Sequence, residues 1–172
     1  TLAYLLANSN VVTLHAPLDA VTRKLADEDF FTAMQPGAFF INASRGEVVD
    51  EDALKEALPK FGAVIIDTWN NEPDVDEDLI DMVDIATPHI AGYSYRGKQN
   101  GTASAVRSVA RHFGIEKLYD FYPVNEMPEY EPVKLDLTGM KQGEIAALFQ
   151  YNYPIFTDDF RFRMEPGNFE KM

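Results

Sequence analysis

The sequence predicts an α/β fold in which helices cover both faces of a parallel sheet. Over the first two-thirds of the chain, short apolar runs rich in β-branched residues alternate with amphipathic stretches at helical spacing. The runs are apolar at successive positions, which is typical of parallel strands buried on both faces. Polar residues, glycine and proline follow every run, so we expect the chemistry to lie along one edge of the sheet.

The predicted elements alternate along the chain. Strands are expected at residues 10–14, 38–41, 63–66 and 83–86. A helix is expected at 2–8, and Asp27 and Asp50 are expected to cap the next two, which run to Met34 and Leu58. A long helix is predicted over 94–113 and is ended by Gly114.

The last third of the chain has a different character. Residues 122–132 are rich in proline and glutamate and predict a linker, while residues 133–137 alternate like a half-exposed strand. A helix is expected at 144–150, followed by an aromatic segment over 151–172. About fifty residues are too few for a large independent core, so this tail is predicted to dimerise or dock.

Composition excludes several classes of site and partner. The formal net charge is −13, which predicts that neither nucleic acid nor an anionic membrane is a partner. The absence of cysteine excludes disulfides and thiolate chemistry, and a cytoplasmic location is the default expectation. The three histidines are too scattered to predict a metal site. The sequence contains neither a G-x-G-x-x-G nor a P-loop motif.

Three side chains that follow predicted strands can carry anion-binding and acid–base chemistry. The Arg45 guanidinium suits a carboxylate or phosphate, although a surface arginine in a turn is the alternative. The His89 imidazole can exchange a proton near neutral pH, against the alternative of a structural histidine. The Glu72 carboxylate can orient an imidazole and stabilise its protonated form; alone it would be a solvated acid.

Two further positions have open interpretations. Asp67, at the tip of the third predicted strand, is either a polar contact for a cofactor amide or a helix-capping residue. Gly92 follows His89 and is expected to let the backbone approach a ligand.

Four ordered motifs resemble the successive signatures of the D-isomer specific 2-hydroxyacid dehydrogenases. They are residues 11–18 (VVTLHAPL), 40–50 (FINASRGEVVD), 67–73 (DTWNNEP) and 87–92 (TPHIAG). The resemblance covers the chain from residue 1 to about His112. It implies that the sheet is part of a Rossmann-like NAD-binding domain.

Within that family the chain is most similar to the erythronate-4-phosphate dehydrogenase branch. The segments that carry this likeness are residues 92–98 (GYSYRGK), 100–102 (NGT), 128–129 (PE), 133–139 (VKLDLTG), 158–159 (DD) and 166–169 (PGNF). The likeness implies a phosphorylated, anionic 2-hydroxy acid as substrate and a homodimer formed through the tail.

The resemblance also assigns roles to residues. It implies that Arg45 binds the substrate carboxylate, that His89 takes the proton of the C2 hydroxyl as hydride leaves for the nicotinamide, and that Glu72 orients His89. The positions at which the family contacts NAD are occupied by Ala16, Ala43, Ser44, Arg45, Asp67, Gly92 and Tyr93. Arg161 and Arg163 are candidates for the substrate phosphate, with a pair of arginines in an amphipathic dimer strand as the preferred interpretation.

By this resemblance, residues 1–113 are the C-terminal part of the NAD-binding domain with its linking helix, and residues 114–172 are part of a dimerisation domain. The N-terminal substrate domain, the first strands of the Rossmann domain and the glycine fingerprint of the family have no counterpart. We therefore expect a fragment that lacks turnover on its own. The alternatives are a dehydrogenase of 3-phosphoglycerate or another D-2-hydroxy acid, a corepressor-like NAD-binding protein, and a dimerisation module.

Overall fold

The computed structural model describes residues 1–124 and 134–169. In these ranges four parallel strands lie side by side in chain order: β1 (Val11–Leu14), β2 (Phe39–Asn42), β3 (Ala63–Ile66) and β4 (Ile85–Ala86). Leu14 pairs with Asn42, Asn42 with Ile66, and Ile66 with Ala86, so the carboxyl ends of the strands meet at one edge. The predicted parallel α/β sheet is confirmed.

Most of the helices occur at the positions that the sequence predicts. They are α1 (Leu2–Asn8), α2 (Glu28–Ala33), α3 (Glu51–Ala57), α4 (Glu77–Met82), α5 (Tyr95–Phe113), α6 (Gln142–Asn152) and α7 (Ile155–Met164). Asp27, Asp50 and Asp76 cap α2, α3 and α4, each accepting a hydrogen bond from the backbone N–H three residues on. Helix α4 was not predicted, although Asp76 gives the same signal as Asp27 and Asp50.

The chain forms two compact units, one made of residues 1–90 with 149–172 and the other of residues 91–148. The core of the first unit contains an aromatic cluster in which Phe31 meets Phe40 edge to face, with ring centres 5.1 Å apart. The opposite face of the sheet is less covered by the described residues, since Val11 and Phe39 keep 52% and 45% of their surface exposed.

The second unit is built on α5, which begins and ends as predicted. The Ser94 hydroxyl accepts the N–H of Gly97, and Gly114 ends the helix with φ +68°, a left-handed conformation that glycine adopts without steric cost. Arg107 Nε donates to the carbonyl of Phe121 at 2.8 Å, which holds the chain at Phe121 against α5.

The tail differs from its prediction in two places. Residues 134–137 form no strand, so the predicted strand is wrong there; Val133 and residues 125–132 of the predicted linker lie outside the described residues. Arg161 and Arg163 lie in α7, so their placement in a strand is also wrong. Aromatic side chains favour strands, but an Asp159–Arg163 ion pair at i,i+4 spacing supports the helix. The helix predicted at 144–150 is confirmed by α6.

Across residues 1–124 and 134–169, none of the helices combines the length and the apolar character that crossing a membrane requires.

Candidate active site

The loops that follow β3 and β4 bring Glu72 and His89 together. Glu72 Oε2 lies 2.9 Å from His89 Nδ1, and Glu72 Oε1 accepts the backbone N–H of Trp69 at 2.9 Å. Because a carboxylate only accepts, a neutral His89 imidazole in this contact would carry its proton on Nδ1 and keep the lone pair on Nε2. Nε2 has no protein partner among the described residues, and 35% of the His89 side chain is exposed. The pair therefore presents a proton acceptor to solvent.

Asp67 fixes the turn that presents His89. Its Oδ1 accepts the Thr87 hydroxyl at 2.6 Å and the Ile90 N–H at 2.8 Å, while its carbonyl accepts the His89 N–H at 2.7 Å. His89 has φ +56°, a conformation that is uncommon outside glycine and that these hydrogen bonds hold in place. Asp67 caps none of the described helices, so the capping interpretation is wrong, and its carboxylate organises the loop of His89.

Trp69 joins the two loops and was not identified from the sequence. Its side chain is 2% exposed, and its indole N–H donates to the carbonyl of Thr87 at 2.9 Å. Its backbone N–H is the donor to Glu72. The signal was available, because Trp69 is the single tryptophan of the chain and lies inside the motif that contains Glu72. Trp69 thus connects the carboxylate to the segment that leads to His89.

Arg45 follows β2 and is held less firmly. Its side chain is exposed, and Nη1 donates to the neighbouring carbonyl of Ser44 at 2.6 Å. The backbone around it is fixed by Asn42, which is 1% exposed, accepts the Ser44 hydroxyl at 2.7 Å and donates to the carbonyl of Arg45 at 3.2 Å. Within the described ranges no carboxylate forms an ion pair with this guanidinium. Arg45 follows β2 and His89 follows β4, and these two strands are separated by β3, so their axes lie about 10 Å apart.

The glycine of the same loop has a packing role. A methyl group on Gly46 would lie 2.0 Å from the carbonyl carbon of Trp69 and 2.4 Å from the backbone nitrogen of Asn70. Only hydrogen fits there, so Gly46 brings the loop after β2 against the loop after β3. Glu51, at the start of α3, adds a second contact by accepting the Asn70 N–H at 2.9 Å. Burial raises the pKa of the Glu51 carboxyl.

The remaining predicted cofactor positions fall in both units. Ala16 and Ala43 are half-buried at the ends of β1 and β2, and Ser44 is buried with its hydroxyl donated to Asn42. In the second unit, a methyl group on Gly92 would meet no neighbouring group of the described residues within 4 Å, so packing does not require glycine there. The ammonium of Lys98 lies 3.5 Å from the centre of the exposed Tyr93 ring, and its hydrogen bond lowers the pKa of that phenol.

The edge of the first unit fits one end of a dinucleotide. Ala16 and Ala43 place small side chains at the carboxyl edge of the sheet that also carries the Glu72–His89 pair. The pyrophosphate needs a glycine-rich turn at a helix N-terminus, and the sequence contains no such motif. The described residues therefore suit the nicotinamide end of NAD.

Comparison with known proteins identifies the family to which the chain is similar. Residues 1–91 match the sequence model of the D-isomer specific 2-hydroxyacid dehydrogenase, NAD binding domain. The erythronate-4-phosphate dehydrogenase of Ectopseudomonas mendocina is 38% identical over 165 residues, covering 95% of this chain and 44% of that protein. The enzyme of that name from Yersinia pestis is 33% identical over 177 residues, covering 98% and 47%. The chain spans about half the length of these relatives.

Solved structures of related enzymes share the fold. D-lactate dehydrogenase from Aquifex aeolicus, complexed with NAD and lactic acid, has a TM-score of 0.56 and 28% identity over 74% of this chain and 44% of its own. A glyoxylate reductase from Paecilomyes thermophila has a TM-score of 0.57 and 31% identity, covering 68% and 36%. D-mandelate dehydrogenase from Rhodotorula graminis has a TM-score of 0.53 and 36% identity, covering 56% and 29%.

The family model covers more than half of the chain and describes an NAD-binding domain, which confirms the predicted family and the predicted cofactor. The relatives that match nearly the whole chain agree with the predicted branch. The chain belongs to the D-isomer specific 2-hydroxyacid dehydrogenases.

Proposed function

We propose that this chain supplies the acid–base site of an NAD-dependent enzyme that oxidises 4-phospho-D-erythronate to its 2-oxo acid, a step of pyridoxal phosphate synthesis. The observation that carries the proposal is the contact of Glu72 with His89 at 2.9 Å, at the carboxyl edge of the sheet. The substrate is inferred from the names of the relatives that match nearly the whole chain.

In the proposed reaction His89 is the general base. Its Nε2 takes the proton of the C2 hydroxyl while the Nδ1–H stays hydrogen-bonded to Glu72. The C2 hydrogen leaves as hydride, for which bound NAD supplies the acceptor, and the C2–O bond becomes a carbonyl. The substrate thereby loses one proton and one hydride. The Glu72 carboxylate stabilises the imidazolium that forms and keeps the ring oriented.

Arg45 is proposed to bind the substrate carboxylate. Its guanidinium is exposed, and its one hydrogen bond within the described part of the chain goes to a neighbouring backbone carbonyl, which leaves other donors for a bidentate contact. A permanent positive charge is needed here, because the net charge of −13 disfavours an anionic substrate. The residues proposed to line the NAD site are Ala16, Ala43, Ser44, Arg45, Asp67, Gly92 and Tyr93.

We further propose that the chain works as part of a longer polypeptide. The sequence has no glycine fingerprint for the pyrophosphate, and among the described residues β1 pairs with β2 alone, which leaves one edge of the sheet open. A neighbouring strand would cover that edge and the exposed surface of Val11. The 172-residue chain alone is expected to lack turnover. The full enzyme is proposed to be a cytoplasmic homodimer that dimerises through its aromatic tail.

The test is reduction of NAD by the full-length polypeptide, with 4-phospho-D-erythronate and 3-phosphoglycerate measured side by side. We expect preference for 4-phospho-D-erythronate, and a loss of roughly 10²- to 10⁴-fold in kcat for His89→Ala. His112→Ala is the matched control, because His112 is exposed on α5 and is expected to leave kcat unchanged. Preference for 3-phosphoglycerate would keep the mechanism and discard the substrate. Turnover of neither compound would contradict the proposed activity.

A further inference from the structure

We propose that α7 is a positioning element of the Glu72–His89 pair, and that Phe162 is its principal contact. This proposal rests on the proposed function of the pair. It assigns a role to a helix that begins more than sixty residues after His89 in the chain. Helix α7 belongs to the same compact unit as the sheet. Three independent contacts join α7 and the turn after it to the loops that hold the pair.

The first contact is apolar. Phe162 is fully buried, and its ring centre lies 5.5 Å from that of Trp69. Phe169, which follows the turn after α7, packs edge to face against Phe162 with ring centres 5.4 Å apart. Burial of two large aromatic side chains against each other fixes the position of the indole more firmly than a small side chain could.

Trp69 transmits that constraint to both members of the pair. Its backbone N–H donates to Glu72 Oε1, and its indole N–H donates to the carbonyl of Thr87, two residues before His89. A displacement of the indole into the space of Phe162 would lengthen one or both bonds. Each bond orients one partner of the hydrogen bond between Glu72 and His89.

The second contact is polar and acts on the strand that leads to His89. Asp159 Oδ1 accepts the backbone N–H of Ala86, the last residue of β4, at 2.7 Å. Arg163 forms an ion pair with Asp159 at 2.9 Å and donates to the carbonyl of Val83 at 2.9 Å. The side chains of α7 thus bind β4 from its outer edge, where a sheet would otherwise expose unpaired backbone groups.

The third contact reaches the residue after Glu72. Gly167 has φ +81°, and a methyl group on it would lie 2.7 Å from the carbonyl oxygen of Pro73. The turn after α7 therefore lies directly against the loop that carries the carboxylate. Helix α7 and its turn contact this loop at Trp69 and at Pro73, on both sides of Glu72.

The first arm of the experiment uses the 172-residue chain and needs no turnover. Trp69 is the single tryptophan, so its fluorescence reports directly on the docking of α7. We expect Phe162→Ala to shift the emission to longer wavelength. We also expect it to reduce the share of His89 with the proton on Nδ1, as seen in ¹H–¹⁵N spectra of the imidazole. Phe162→Leu should restore most of both signals, since leucine refills part of the space.

The matched control is Phe160→Ala, which removes the same side chain from the exposed face of the same helix, where Phe160 is 64% exposed. It should change neither signal. If circular dichroism shows that Phe162→Ala is unfolded, Phe162→Leu and Gly167→Ala carry the test. The inference is overturned if folded Phe162 and Gly167 variants keep the tautomer of His89 unchanged.

The second arm uses the full-length polypeptide and separates this inference from the proposed function. Phe162→Ala should lower kcat by roughly 10- to 10²-fold with KM nearly unchanged, because the pair is displaced while Arg45 is untouched. If the tautomer of His89 moves in the first arm but His89→Ala keeps full activity, the proposed function fails and the helix positions a pair without catalytic use. If His89→Ala abolishes activity but Phe162→Ala does not alter kcat, the inference alone fails.

Discussion

The functional side chains in the loops after β3 and β4 are fixed by more intramolecular hydrogen bonds than the functional side chain in the loop after β2. In the former, Glu72, His89 and Asp67 are joined by hydrogen bonds of 2.6 to 2.9 Å between side chains and backbone. In the latter, the backbone around Arg45 is fixed by buried Asn42, but among the described residues the guanidinium has a hydrogen bond to the neighbouring carbonyl of Ser44 alone.

This contrast separates two tasks. A general base must be oriented before the substrate arrives, because misplacement of the proton acceptor directly raises the barrier. A carboxylate-binding arginine can remain solvated until its ligand replaces the water, since its charge is permanent. We therefore expect changes in the β3 and β4 loops to act mainly on kcat, and changes at Arg45 to act mainly on substrate binding.

Glu72→Gln should have the largest effect. Glutamine can still accept the Trp69 N–H, but its amide cannot stabilise an imidazolium, and if its NH₂ group faces Nδ1 it favours the wrong tautomer. We expect kcat of the full-length enzyme to fall by roughly 10²- to 10⁴-fold, with KM changed far less. Steady-state kinetics of NAD reduction measures both. Glu77→Gln, on the exposed surface of α4, is the control. An equal loss of kcat in Glu77→Gln, or an unchanged kcat in Glu72→Gln, would contradict the proposal that Glu72 orients His89 before the substrate binds.

Gly46→Ala should affect both regions at once. The added methyl would meet the backbone of Trp69 at 2.0 Å, so the two loops must separate. Overpacking of this kind costs about 3 kcal/mol in the free energy of unfolding, which chemical denaturation of the 172-residue chain would measure. Gly101→Ala is the control, because no described residue outside its own stretch of helix has an atom within 4 Å of the position its methyl would occupy, and alanine favours a helix. A Gly46→Ala protein as stable as the parent would show that the loops are not in rigid contact.

Much of this arrangement could be predicted from the sequence, because the signals were local. Each strand is a short apolar run, and Asp27 and Asp50 cap helices as predicted. The proximity of the residues after the strands follows from parallel topology, so Glu72 and His89 could be paired before the structure was known.

The contacts of α7 could not be predicted in that way. Asp159 bonds to Ala86 across 73 positions, and Arg163 bonds to Val83 across 80, and neither pairing leaves a periodic pattern in the sequence. The arginine pair of this segment was interpreted as part of an amphipathic strand, but Arg161 and Arg163 lie in a helix whose Phe162 enters the core. The role of Trp69 likewise depends on the distant partners Thr87 and Phe162, although its place as the single tryptophan inside the motif of Glu72 was a local signal.

Arg45→Lys tests the other side of the comparison. Lysine keeps the charge but loses the planar fork that binds a carboxylate with two parallel hydrogen bonds. We expect KM for the 2-hydroxy acid to rise by roughly 10-fold, while kcat falls less, because the Glu72–His89 contact does not involve Arg45. Kinetics with varied substrate at saturating NAD separates the two constants. Arg23→Lys, at an exposed position before α2, is the control. If Arg45→Lys lowered kcat as much as Glu72→Gln does, Arg45 would not act mainly in substrate binding.

The smallest expected effect concerns Glu51, which joins the loop after β2 to Asn70 in the loop after β3. Burial raises the pKa of its carboxyl, so above that pKa the folded state carries a charge that the unfolded chain hydrates better. Glutamine removes this penalty and can still accept the Asn70 N–H. Glu51→Gln should therefore stabilise the chain by less than about 1 kcal/mol at pH 7, and the gain should decrease as the pH falls below the folded pKa and vanish below the unfolded pKa.

Asp76→Asn provides the control with the opposite sign. A hydrogen bond from Lys55 holds the pKa of Asp76 below its usual value, so this carboxylate stabilises the fold above its unfolded pKa and loses that contribution as the pH falls. Asparagine keeps the cap on α4 but not the ion pair, and should destabilise the chain by up to about 1 kcal/mol at pH 7, since the pair is partly exposed. Urea unfolding at neutral and acidic pH compares the two variants. If Glu51→Gln lowered the free energy of unfolding as Asp76→Asn does, burial would not be the dominant influence on Glu51. Its contact with Asn70 would then join the two loops without an electrostatic penalty.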